Sequence, residues 1–304
     1  NVGLVTTRQC KDNWDAKVAD TIIGHKALND YDINSLFPLW LNPSAGETHR
    51  RPNIANSFAT DLARKVDLAY ADGNTASLQS DMGGDYRHKS PEQTSLPDEP
   101  WNGRGDLAKT VGPRDIFNWV YAILHSLTYR DRFGEFLKSD FPRIPLPKDK
   151  SLFKALGPLG DKLIVCHLLK YDEMDVLKNP DIRFIAQSEP RVAKKKRNNG
   201  VTTRWDNGKI MVNDACWFED VPREIYEFRI GGYQPLEKWL DDRASRGGAN
   251  PHPGRVLSDE DILHYRRITV AIRETIALMK QVDEVINNHG GWPDAFYQAP
   301  PPQK

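Results

Sequence analysis

The feature that most constrains this chain is its last long segment. After Ser258, the residues Ile262, Tyr265, Ile268, Ile272, Ile276, Met279, Val282 and Ile286 recur every three or four positions, the spacing of one helix face. Ser258 with Asp261 three residues on is a capping-box start. A helix with so long an apolar stripe must be covered by the rest of the chain. What precedes it is mixed. Segments 2–7, 17–25, 35–40, 182–188, 201–205, 209–213 and 226–230 read as strands, with Asp206-Asn207-Gly208 as a hairpin turn. Residues 53–70, 113–124, 152–169 and 235–243 have helical spacing, the third interrupted near Gly157-Pro158, and Thr128 with Asp131 marks another helix start. The expected fold class is α+β: mixed β-sheet and hairpin elements, a helical subdomain and a long C-terminal helix.

Along the chain this gives one body over 1–290. It consists of a β-rich start (1–70), a Gly/Ser/Asp/Pro-rich surface insertion (72–112), a helical block (113–180), a β-hairpin region (181–232) and a helical end (233–290). A flexible tail, 291–304, follows. The N-terminus reads as a strand entered midway, which predicts an excised fragment.

Composition excludes several classes. Of the 304 residues, 39% are hydrophobic and 28% charged, and no apolar run approaches a membrane span, so no membrane partner is expected. Cys10, Cys166 and Cys216 are odd in number and widely spaced, which fits a reducing cytoplasm. Formal net charge is zero, so a polyanion signal has to be local.

The motifs of catalysis are missing. Gly208-Lys209 runs into Ile210, not a hydroxyl residue, so there is no phosphate loop; Gly103-x-Gly105 reads as a flexible turn. Asn-Pro pairs never continue to Pro-Tyr, and Asp15-x-Lys17 has no partner acid at a nuclease spacing. The eight histidines form no metal-ligand pair, so no metal site is expected. His125 and His264 read as packed or surface residues. Adjacent Cys166 and His167 point to different helix faces and do not pair. No catalytic residue is assigned.

Three signals remain. Residues 191–209 carry Arg191, Lys194, Lys195, Lys196, Arg197, Arg204 and Lys209 against Glu189 and Asp206 nearby. A basic two-stranded ribbon can displace counterions and enter a major groove, where Arg, Lys and Asn (here with Asn198, Asn199 and Asn207) read base edges. A solvated loop is the plain alternative. The second signal is Gly231-Gly232-Tyr233-Gln234-Pro235 leading to Lys238, Trp239 and Arg243. There a turn can approach a phosphate, with Tyr233, Gln234, Lys238 and Arg243 as contacts and Trp239 as core. The third is Arg8 with Gln9 after the first strand, facing either DNA or a neighbouring domain.

One ordered set of motifs carries a resemblance. It comprises Asn1-Val2-Gly3-Leu4-Val5-Thr6-Thr7-Arg8-Gln9, Tyr121-Ala122-Ile123-Leu124-His125-Ser126 with Tyr129-Arg130, and Asp140-Phe141-Pro142-Arg143-Ile144-Pro145. It continues with Ile230-Gly231-Gly232-Tyr233-Gln234-Pro235-Leu236-Glu237-Lys238-Trp239-Leu240-Asp241-Asp242-Arg243, Leu257-Ser258-Asp259-Glu260-Asp261-Ile262 and His264-Tyr265. From residue 1 to about 283 it resembles the C-terminal specificity region, the target recognition domain, of Type ISP restriction-modification enzymes.

The resemblance implies a fragment with no activity or cofactor of its own. Double-stranded DNA and an upstream adenine-N6 methyltransferase in the same polypeptide are the implied partners; S-adenosylmethionine, ATP and Mg belong to upstream parts. The loop 245–257 is longer than is usual in the family. A second class of function, a protein–protein adaptor working through the helical block 113–170, would show a large exposed apolar face there.

Overall fold

The computed structural model describes residues 1–11, 13–24, 27–28, 33–45, 49–72, 102–198, 201–247 and 251–298. The chain opens with β1 (Gly3–Thr7), β2 (Ala16–Ala19) and β3 (Asn34–Pro38), an antiparallel sheet in the order β2-β1-β3 with Val5 opposite both Lys17 and Leu36. The second strand is shorter than expected, and the third gives way to a separate pair, β4 (Trp40–Leu41) with β5 (Arg51–Pro52). The helix expected over 53–70 is α1 (Asn56–Lys65). Beyond it, β6 (Ala69–Tyr70) pairs in parallel with β7 (Thr110–Val111). Most of the proposed surface insertion, residues 73–101, lies outside the described residues.

Its described end is tightly bonded. The Asp106 carboxylate accepts from the backbone N–H groups of Ala108, Lys109 and Thr110 at 2.7–2.9 Å.

The helical block follows as α2 (Pro113–Leu124), α3 (Leu127–Arg132), α4 (Gly134–Leu137), α5 (Lys150–His167) and α6 (Asp175–Lys178). Pro113 opens α2, where its missing N–H is harmless. The cap of α3 is Ser126, whose hydroxyl accepts from Tyr129 N, rather than Thr128. Thr128 instead donates through its N–H and Oγ1 to Asp283 of the last helix at 2.9 and 3.0 Å. Helix α5 runs unbroken through Gly157-Pro158. Pro158 removes one backbone bond, but burial of Leu152, Phe153, Leu156, Leu159 and Leu163 outweighs it, at roughly 1.5–3 kcal/mol per large side chain.

The hairpin region contains β8 (Phe184–Ala186), β9 (Lys196–Asn198), β10 (Val201–Thr203), β11 (Trp205–Asp206), β12 (Lys209–Asn213) and β13 (Cys216–Phe218). Residues 226–230, expected as a strand, are not one. Pro222 precedes a helical turn, α7 (Arg223–Tyr226), held by an Arg223–Glu227 ion pair one turn apart. Helices α8 (Pro235–Asp241) and α9 (Asp259–Asn288) complete the chain, the latter with the Ser258/Asp261 capping box intact. The fold is therefore α+β. Residues 291–298 of the expected tail do not fray: Ala295 and Phe296 are buried, Phe296 against Trp119, and Tyr297 N donates to Leu146 O.

Helix α9 joins the two halves, covered by the helical block on one stretch and by the hairpin region on another. Its Tyr265 stacks on Phe218 at 4.4 Å, and Thr275 accepts from the His167 Nε2 proton at 3.1 Å. The other nitrogen of His167 accepts from the Tyr121 hydroxyl, and His125 Nδ1 donates to Tyr121 O at 2.8 Å. Cys166 is turned away, against Met174 Sδ, and burial raises its thiol to about 12. Burial holds both imidazoles well below their ordinary value, helped for His125 by Arg130 and Lys17 and for His167 by Lys17 and His125.

The unfolded chain takes up these protons near pH 6.5, before the folded chain does. Stability is therefore expected to fall below about pH 6.5, with a limiting slope of about 1.4 kcal/mol per pH unit for each histidine. Urea denaturation between pH 7.5 and 5 checks this, and His167→Gln should remove its share of the slope.

Candidate nucleic-acid interface

The hairpin region is built on a four-stranded antiparallel sheet, β11-β12-β13-β8, with the separate ribbon β9-β10 leading into it. Val201 pairs with Asn198 and Thr203 with Lys196. The turn predicted at Asn207-Gly208 is present, with φ of 47° and 81°, the backbone of a two-residue hairpin turn. One sheet face buries Ile210, Val212, Cys216 and Phe218 against α8 and α9, with Tyr265 donating to Leu236 O at 3.0 Å. The ribbon thus stands on a rigid base.

The seven basic residues of 191–209 divide by location. Arg204 is 3% exposed; it pairs with Asp241 at 2.8 Å and donates to Ala193 O and Met211 O. Its N–H also meets the Tyr226 hydroxyl at 3.1 Å. This corrects the expectation that Arg204 faces a groove, because buried internal acceptors hold its guanidinium. Lys195 reaches Glu237 and Asp241 of α8 at 2.6 and 2.7 Å. Burial opposes its charge, but those two carboxylates raise the ammonium above its ordinary value. Arg191 pairs with Glu189 and donates to Gly254 O at 3.0 Å. Lys209 lies 4.5 Å from the Trp217 ring centroid. Lys194 is exposed, and Lys196 and Arg197 belong to β9. Asn199 lies outside the described residues.

Lys195 and Arg204 also bring the second signal to the first, since both are tied to Asp241 of α8. At the start of α8, Gln234 Nε2 donates to Tyr226 O, and the Lys238 ammonium sits 5.6 Å over the Tyr233 ring while pairing with Asp242. Arg243 stacks on Trp239 at 3.6 Å and donates to its carbonyl; burial lowers its pKa. Trp239 packs on Tyr265 at 5.1 Å, as expected of a core residue. The third signal is separate. Arg8 pairs with Asp140 at 3.2 Å rather than with the ribbon, and Gln9 is exposed.

One anchoring residue is not legible as such in the sequence. Asp15 is 4% exposed. Its carboxylate accepts from Ala16 N and Gly231 N at 2.8 and 2.9 Å and pairs with Arg130 and Lys17 at 2.9 and 3.2 Å. It fixes the Gly231-Gly232 turn to the first sheet and to α3, from 216 residues away in sequence.

The glycine-rich turn and the buried carboxylate of the described residues are engaged internally. The N–H groups of Gly105 and Gly112, where a glycine turn would hold a phosphate, both donate to Asp115 Oδ2 at 2.7 and 2.9 Å. Both Asp15 oxygens face cations and N–H groups, and among the described residues no three His, Cys, Asp or Glu side chains converge on a metal position. No described helix is long and apolar enough to cross a membrane.

Comparison with known proteins agrees with this architecture. The sequence model of the Type ISP C-terminal specificity domain matches residues 1–281. No curated protein matches the chain. Among solved structures, a nuclease-deletion mutant of the Type ISP restriction-modification enzyme LlaGI in complex with a DNA substrate mimic aligns over 93% of this chain and 17% of its own, at 18% identity and TM-score 0.54. The ATP-dependent Type ISP enzyme LlaBIII bound to DNA aligns over 94% of this chain and 16% of its own, at 16% identity and TM-score 0.56. The DrdV–DNA complex aligns over 94% and 24%, at 13% identity and TM-score 0.56. The chain therefore spans less than a quarter of the length of each of these structures. The match over residues 1–281 shows that the chain belongs to the Type ISP C-terminal specificity domain family.

Proposed function

We propose that this chain recognises a specific sequence in double-stranded DNA and positions it for an adenine-N6 methyltransferase in the same, longer restriction-modification polypeptide. The observation that carries the reading is the basic ribbon on its braced sheet. Lys196 and Arg197 lie on β9 of a two-stranded ribbon, exposed Lys194 stands two residues before it, and Lys195 and Arg204, flanking the ribbon, pair with Asp241 of α8; a two-stranded ribbon can enter a major groove. The family assignment and the DNA-bound state of three solved structures with this fold support it. In this reading the chain carries no catalytic residues, works in the cytoplasm, and leaves S-adenosylmethionine, ATP and Mg to other parts of the polypeptide.

An adaptor role is less well supported. The large exposed apolar side chains of the helical block, among the described residues, are Leu127, Phe136 and Tyr171, and isolated exposed residues of this kind are ordinary on a protein surface.

The test uses the complete polypeptide. Selection from random duplexes should yield a sequence motif. Changing Lys194, Lys196 and Arg197 together to Ala should weaken binding and reduce the slope of log affinity against log salt by about 0.9 for each phosphate no longer neutralised. A flat selection profile with an unchanged salt slope would exclude recognition by this element. Cleavage or methylation by this chain alone would overturn the assignment of catalysis elsewhere.

A further inference from the structure

The loop 245–257 closes on the base of the ribbon. Both of its ends meet one residue: Ser245 N donates to Val192 O at 3.1 Å, and Val192 N donates to Arg255 O at 2.9 Å. Arg191 bridges to Val256, and the Arg191 guanidinium holds Gly254 O. Gly254, at φ +87°, has Val192 O where a Cβ would stand, so only glycine permits this approach. Arg255 pairs with Asp261 at 2.8 Å, which joins the loop to the cap of α9. Both loop stems are thus fixed.

Beyond these stems the loop forms its own narrow ladder. Arg246 N donates to His252 O at 2.8 Å and His252 N donates to Arg246 O at 2.9 Å. Both side chains are exposed, and among the described residues Arg246 makes no ion pair. The ladder lies beside the ribbon strand, since the Lys194 ammonium is 3.5 Å from where a Cβ on Gly247 would stand. Lys194 and Lys195 therefore diverge, the first toward this ladder and the second toward α8. His252 Nδ1 accepts from Gly254 N at 3.1 Å, so in the neutral ring Nε2 is the donor.

We infer that Arg246 and His252, paired with each other through their backbones, form a second base-reading element that enters the same groove as the ribbon. Arg246 reads guanine through O6 and N7, and His252 donates through Nε2 to a neighbouring acceptor. This rests on the proposed DNA recognition and extends it. The chemistry follows from what each group offers. An exposed guanidinium with no ion-pair partner among the described residues, between fixed loop stems, presents the fork that matches a guanine edge. Arg191, Lys195 and Arg204 have internal partners, whereas Arg246 is a cation at the ribbon's flank supplied from about fifty residues downstream.

The experiment is selection from random duplexes with the complete polypeptide, comparing the unaltered protein with Arg246→Ala, Arg246→Lys and His252→Ala. Arg246→Ala is expected to reduce discrimination at one guanine-containing position by roughly 10- to 100-fold, with the rest of the motif unchanged. Arg246→Lys should weaken the same preference, because the flexible ammonium lacks the planar fork that matches O6 and N7, while the salt slope stays as it was. His252→Ala should weaken preference at an adjacent position. An unchanged motif and affinity for Arg246→Ala would overturn the inference and leave ribbon-based recognition standing. A uniform loss of affinity across sequences, rescued by Lys, would make Arg246 a phosphate contact and equally overturn base reading. Absence of any motif with the unaltered protein would instead count against the parent reading.

Discussion

Replacing Asp15 by Ala is expected to lower the stability of the folded chain by about 3–5 kcal/mol, because it leaves buried charges without a counter-ion. The Asp15 side chain is 3% exposed, and its cationic partners Lys17 and Arg130 are only 14% and 22% exposed. Removing it strands both cations and the Gly231 N–H together. The melting temperature should fall by on the order of 10 °C. Asp15→Asn keeps the shape but cannot offset two positive charges, so most of the loss should remain.

Burial alone would raise the Asp15 pKa. Lys17, Arg130 and His125, with the Ala16 N–H, overcome this and hold it well below the usual carboxylate range. A depressed carboxyl contributes stability above its unfolded value, about 3.9, and loses it as pH falls toward the folded value. The gap between the parent protein and Asp15→Asn should therefore be full at neutral pH and narrow only in strong acid. A denaturation midpoint for Asp15→Ala equal to that of the parent would refute the anchoring role.

The second large effect is expected at Arg204. Its replacement by Ala leaves the Ala193 and Met211 carbonyls and the Asp241 carboxylate short of a donor, and should cost about 3 kcal/mol. Arg204→Lys should recover only part of this, since one ammonium cannot serve three divergent acceptors. DNA affinity should fall as well, because the ribbon loses one of its two ties to α8 and keeps only that of Lys195. The contrast is Lys194→Ala, which should weaken binding with stability unchanged, its side chain being exposed. If Arg204→Ala weakened DNA binding while leaving stability at the parent level, Arg204 would be a direct contact after all.

Much of the fold can be read locally. The capping box at Ser258, the apolar stripe of α9, the Asn207-Gly208 turn and Pro113 at a helix start depend on side chains within a few residues of one another. Local reading fails where distant residues intervene. Gly157-Pro158 predicts an interruption of α5, but the cover over its apolar face keeps the helix whole. The pattern of 226–230 predicts a strand, yet Tyr226 is held in a helical turn where its hydroxyl meets Arg204. Thr128 has the spacing of a cap, but Asp283 engages it.

The candidate site shows the same division. Sequence alone locates a basic segment, a glycine turn and a family resemblance, because charge density and motif order survive without coordinates. It does not separate the cations that build the ribbon from those that face outward: Arg204 and Lys194 look alike until Asp241 is seen beside the first. Nor does it connect Asp15 with Gly231, or Arg246 with Lys194, since those pairings are made across the chain by packing. Composition determined that a polyanion-binding signal had to be local. The tertiary structure decided which charges are left to provide it, because a buried guanidinium must satisfy its donors internally while an exposed one remains available to a ligand.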